Sequence, residues 1–136
     1  MAASLARSIS LRNHMALAVL KTAQGNLDLV GELLKTLYWA FYLSNSEEVS
    51  AREEDFIAAE RSLKACIIHA RDTDQWEIAD ADALHMEMIL QLHDQQLASM
   101  PVYRLERAKQ RLALLVDKNH GFPSFAIERG PPQVEG

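Results

Sequence analysis

Residues 74–98 read DQWEIADADALHMEMILQLHDQQLA, and the order of side chains in that run decides the fold class. Trp76, Ala79, Ala83, Met86, Leu90, His93 and Leu97 recur at alternating steps of three and four, the spacing that lines apolar side chains along one stripe of an α-helix. Ile78, Ala81, His85, Met88 and Leu92 draw a second apolar line along the same helix, so it is expected to be sandwiched between neighbours. Asp74 followed by Glu77 has the form of a capping pair and predicts that the helix begins directly after Asp74. His93, set within the apolar heptad, is expected to be a core histidine bonded to a neighbour.

The same kind of reading extends outward in both directions. Upstream, Ser50 and Glu53 form a second capping pair, ahead of a helix from Ala51 to about Arg71 with Phe56, Ala59, Leu63, Cys66 and Ala70 on one face. Asn26 is placed to cap a helix that continues to about Leu43, where Ser44-Asn45-Ser46 stops it. Ser10 is placed to cap a first helix from Leu11 to about Gln24, with Gly25 just past its end and Met1 to Ser8 as a frayed start. Downstream, Ser99 and Pro101 open a last helix whose stripe is Leu105, Ala108, Leu112 and Leu115, closed by Gly121 and Pro123. The expectation is an all-α, up-and-down bundle of about five helices over residues 1–121, followed by an irregular C-terminal arm over residues 122–136. Phe122, Phe125 and Ile127 in that arm are too large and apolar to be left in water, so the arm is expected in a groove of its own bundle or of a partner chain. Beyond Ile127 the tail is expected to be mobile.

Composition agrees with a globular chain that builds its own core. At 136 residues, with 49% hydrophobic and 24% charged side chains, a domain buries roughly two thirds of its unfolded surface without metals or disulfides. The single cysteine, Cys66, excludes an intramolecular disulfide and suits a reducing, cytoplasmic setting. The most apolar stretch, Leu27 to Leu43, contains Asp28, Glu32 and Lys35, so it reads as a core helix and not as a membrane span. Residues 1–24 hold Arg7, Arg12, Lys21, several serines and no acidic residue, which is also the profile of an organelle transit peptide; the structural alternative is simply the first helix.

Charge is divided along the chain. Residues 1–24 carry 3 positive and no negative side chains, residues 25–99 carry 5 and 15, and residues 100–136 carry 6 and 4. On the last helix Arg104, Arg107, Arg111 and Lys118 fall within about 60° of one another and make a basic stripe. Asp80, Glu87 and Asp94, spaced by sevens, make an acidic one. If those two helices lie side by side, the stripes neutralise each other as surface ion pairs. If they do not, the basic stripe is a surface for nucleic acid or an acidic partner.

Catalytic signatures are absent: there is no Gly-x-Ser-x-Gly elbow, no phosphate-cradling glycine loop and no dinucleotide fingerprint. His85-Met86-Glu87 has the His-x-Glu form of zinc deaminases without the Pro-Cys-x-x-Cys that must accompany it. A non-enzymatic protein without a cofactor is expected. Cys66 with His69 and Asp82 with His85 are each three residues apart on a helix and together could offer four metal ligands, but the Glu-x-x-His pairs typical of di-metal bundles are missing. The tight Gly25-Asn26 joint raises a helix–turn–helix, yet the helix after it is far too apolar to lie in a DNA groove. Trp39 and Tyr42 point away from the stripe of Leu34, Leu37, Tyr38 and Phe41, and are candidates either for a partner surface or for covering another part of the chain. The residues favour a regulator, adaptor or inhibitor that binds protein partners or itself as a homodimer, through Trp39, Tyr42, Phe122 and Phe125. Nucleic-acid binding through the basic stripe and a metal-binding bundle are the alternatives.

Overall fold

A computed structural model of the protein describes residues 1–119, which form six α-helices and no strand among them. They are α1 (Ala3–Lys21), α2 (Leu27–Leu43), α3 (Ser46–Ala51), α4 (Glu53–Thr73), α5 (Asp80–Ser99) and α6 (Val102–Asn119). The fold is an all-α helical bundle. The arm with Phe122 and Phe125 lies outside the described residues. None of the described helices is long and apolar enough to cross a membrane.

Four helices make the core: α2 and α5 each pack against both α1 and α4, and α2 and α5 also touch each other. The sixth helix is an outlier, packed on the outer side of α2. Cross-contacts fix the directions. His14 meets Asp94 while Lys21 meets Glu87, so α1 and α5 run antiparallel. Trp39 reaches Leu105, and farther along a shared cleft places Glu32 with Asp117, so α2 and α6 are antiparallel as well.

Three boundaries differ from the sequence expectation, each for a physical reason. The first helix begins at Ala3 and not Leu11, because no Gly or Pro interrupts residues 1–24 and Ala6 and Ile9 carry the buried stripe two turns further back against the core. Ser50 and Glu53 do not cap a helix; the capping box that forms is Asn45 with Glu48, each bonding the other's backbone N–H at 2.8–2.9 Å, and it starts the short α3. Asp74 is not an N-cap but the left-handed C-cap of α4, at φ 60° and ψ 21°, a conformation that aspartate tolerates better than most residues.

Residues 75–79 are therefore a non-helical crossing, and α5 starts only at Asp80. The crossing is pinned from two sides. Gly25 N–H donates to the Trp76 carbonyl at 3.3 Å, and Ile78 N–H donates at 3.1 Å to the Leu20 carbonyl, which also accepts from Ala23 N–H at the end of α1. From α4, the Cys66 thiol donates to the Glu77 carbonyl at 3.0 Å. Space favours glycine at 25: a Cβ there would collide with Leu20 Cδ2, which would have to shift, and would lie 3.1 Å from the Trp76 carbonyl. The positive φ of that turn, 61°, falls at Ala23 instead.

The core carries a short charged hydrogen bond from the Tyr38 hydroxyl on α2 to Glu60 Oε2 on α4 at 2.6 Å, with Lys64 Nζ 3.6 Å from the same oxygen. Tyr38 is fully buried and Glu60 nearly so, which makes the bond hard to replace with water. Tyr38→Phe is expected to lower the unfolding free energy by about 1.5–3 kcal/mol in urea titration, with the far-ultraviolet helix signal of the folded state unchanged.

Candidate binding surfaces

Trp39 lies under α6. Its indole N–H donates to the Leu105 carbonyl at 3.0 Å, it is 8% exposed, and the Lys109 ammonium sits 5.4 Å above its ring. Of the two readings of Trp39, the arrangement is that of a side chain covering another part of its own chain. Its inner edge meets His93 of α5, ring centroids 4.6 Å apart at 63°. Trp39 thus joins the outlying helix to the core.

His93 is 0% exposed and belongs to a buried polar chain. Gln96 Nε2 donates to the Ala40 carbonyl and to Ser44 Oγ, both at 3.1 Å, so its Oε1 faces His93 Nδ1 at 2.8 Å and accepts the proton there. That assignment leaves His93 Nε2 as a bare lone pair, and it has no hydrogen-bond partner among the described residues. Burial lowers the His93 pKa, outweighing the opposite pulls of Gln96 and Asp94. A core histidine bonded to a neighbour was legible in the heptad; its place against Trp39 was not.

The two charged stripes do not meet. The acidic residues of α5 turn to α1, with Asp94 Oδ2 2.9 Å from His14 Nε2, Glu87 Oε2 3.4 Å from Lys21 Nζ and Asp80 Oδ1 3.8 Å from the same ammonium. The expectation that they pair with the last helix is corrected by the packing, because α6 lies on α2 and not along the acidic face of α5. Arg104, Arg107, Arg111 and Lys118 consequently have no ion pair among the described residues. Arg104, Arg107 and Arg111, with Tyr42, Leu43 and Ala108, line a cleft of about 170 Å³ between the end of α2 and the start of α6. Aromatic faces hold two of the guanidinium groups: Arg111 lies 4.6 Å from the centre of the Tyr42 ring, and Arg107 lies 5.8 Å from that of Tyr103. Tyr42, half-buried, sits at the floor of this basic cleft.

On its other flank α6 borders a larger groove of about 530 Å³. Trp39, Leu112, Ala113 and Val116 form its apolar part; Arg12, Glu32, Lys35, Lys109 and Asp117 rim it.

The four residues considered as metal ligands do not assemble. His85 Nδ1 is 2.9 Å from Asp55 Oδ1, and together with Asp82 it borders a separate cleft of about 390 Å³ between α4 and α5. Cys66 is buried, and burial first, then the nearby Asp82 and Glu77 carboxylates, pushes its pKa up to about 11. A thiol held protonated is a poor ligand and a poor nucleophile. No group of three His, Cys, Asp or Glu side chains among the described residues stands close enough to hold a metal ion.

No protein-family model, curated protein or solved structure matches the chain.

Because His93 is held neutral in the fold, its protonation in the unfolded chain at low pH draws the equilibrium towards unfolding. This contribution to stability is intact above the ordinary histidine pKa of about 6.5 and is lost as pH falls below it. His93→Gln keeps a donor for Gln96 and cannot be protonated. The stability difference between wild type and His93→Gln, from urea titrations at pH 7.5 and 5, should therefore shift in favour of the variant at the lower pH.

Proposed function

We propose that the protein is a small non-enzymatic adaptor or regulator that binds the acidic surface of a protein partner along the basic flank of α6. The observation that supports this reading is the placement of charge. In a chain of net charge −5, Arg104, Arg107, Arg111 and Lys118 gather on one side of one helix, while the carboxylates best spaced to neutralise them are used by Lys21 and His14. Among the described residues these four cations have no ion pair, and like charges so close repel one another, so their arrangement has a rationale as half of an interface. Tyr42, at the base of the cleft, adds the kind of aromatic side chain around which binding energy concentrates.

A labelled poly-glutamate peptide titrated by fluorescence anisotropy tests the reading. Binding is expected at low salt, weakening as salt rises, and largely lost when Arg104, Arg107, Arg111 and Lys118 are all changed to Gln. Binding that is absent, or indifferent to the four substitutions, overturns it.

Self-association is a second reading, favoured by α1. Leu11 and Met15, one turn apart, are 62% and 57% exposed on the face of α1 that points away from the core, with exposed Ala18 beside them. A second copy of the same face would cover them by the two-fold pairing usual in homodimers. Light scattering across a concentration series is expected to give a dimer that Met15→Glu converts to a monomer, and a wild-type monomer throughout removes this reading.

A further inference from the structure

We infer that the cleft between the end of α2 and the start of α6 is a phosphate-recognition site, and that the partner segment it takes is a phosphorylated peptide. The inference deepens the acidic-partner reading and rests on it. Arg104, Arg107 and Arg111 converge on one cleft of about 170 Å³ instead of lying spread along a surface. A guanidinium presents five N–H donors in its plane and an electron-poor face above it. The Tyr42 and Tyr103 rings lie against Arg111 and Arg107, 4.6 and 5.8 Å from guanidinium carbon to ring centre, and restrain the two groups without an anion. A carboxylate neighbour would have consumed those donors, and among the described residues none lies within ion-pair distance of the three arginines. What remains is a set of pre-oriented donors matched to a tetrahedral dianion, which guanidinium groups bind in a bidentate manner.

Geometry also separates a phosphorylated side chain from a nucleic-acid strand. Leu43 lines the cleft at the end of α2, and the chain continues from there into α3, whose first turn bears Glu47 and Glu48. A strand carrying a charge on every residue would have to run on from the cleft, and this end of the molecule repels it. One phosphate on an otherwise neutral or apolar peptide meets only the arginines. On the same side the exposed Tyr103 and Val102 offer contacts for the residues that flank it.

The test uses the full chain and two peptide pools, identical in their degenerate flanks, one with a central phosphoserine and the other with serine, read by fluorescence anisotropy against a 20-nucleotide single-stranded DNA competitor. In parallel, nitrogen-15 spectra of the arginine Nε–H groups are followed while inorganic phosphate is added at constant ionic strength. The phosphorylated pool is expected to bind at least about tenfold more tightly than the other, Arg107→Gln and Arg111→Gln together should abolish that difference, and phosphate but not chloride should shift arginine signals that the substitutions identify as Arg104, Arg107 and Arg111. Both variants change exposed side chains, and circular dichroism checks that they fold. Equal binding of the two pools overturns the phosphate site, and if poly-glutamate still binds, the acidic-partner reading survives it. A DNA competitor that displaces the phosphorylated pool at lower concentration than the unlabelled pool itself overturns the assignment in favour of nucleic acid. Arginine signals that do not move with phosphate, together with no binding of either pool, also overturn it.

Discussion

The burial of α2 on nearly all sides constrains the whole molecule. Nine of its 17 residues are buried, from Val30 to Leu43, and they are distributed around the helix and not along one stripe. A helix of this kind cannot be covered by a single neighbour. The chain surrounds it with α1, α4 and α5 on the core sides and α6 on the fourth. The bonds that fix these neighbours start from α2 itself: Thr36 to Asn13 on α1, Tyr38 to Glu60 on α4, the Ala40 carbonyl to Gln96 on α5, and Trp39 to Leu105 on α6. Each places a polar atom at a helix–helix boundary where an apolar contact alone would permit sliding.

The position of α6 follows from that requirement and decides the surface electrostatics. Because α6 covers the Trp39 side of α2, it lies away from the acidic face of α5, and the acidic residues there bond to α1. The basic flank of α6 is thereby left with aromatic neighbours, Tyr42 and Tyr103, and no ion pair among the described residues. The same packing step that completes the core thus leaves a concentrated positive surface without an ion pair among the described residues. His93 lies under the Trp39 contact, so the junction that holds α6 also includes a buried group with an unpartnered lone pair.

Much of the fold is legible in the order of side chains because helix periodicity and end signals are local. The stripe of α5, the apolar belt of α2, the Asn26 cap and the stop after Leu43 all follow from residues within a few turns of one another. Local signals mislead where two of them compete. Ser50 with Glu53 and Asn45 with Glu48 are both good capping pairs; only the second is used, and the stretch between them becomes the extra short helix α3. Asp74 fits an N-cap and a left-handed C-cap equally well, and the choice rests with Leu20 and Gly25, some 50 residues away, whose backbone groups bond the crossing at Ile78 and Trp76.

The sequence by itself determined that the chain is helical, which faces of its helices are apolar, and that its charges are segregated, since each of these depends only on spacing along a 3.6-residue turn. Only the tertiary structure decided which stripe meets which. Trp39 could have faced a partner and instead anchors α6; Cys66, His69, Asp82 and His85 could have converged, and instead Cys66 bonds the Glu77 carbonyl and His85 bonds Asp55; the acidic and basic stripes could have paired and instead lie apart. Such outcomes depend on the azimuth at which one helix docks on another, and that is set by the summed burial of all the helices around α2, a quantity that no single segment contains.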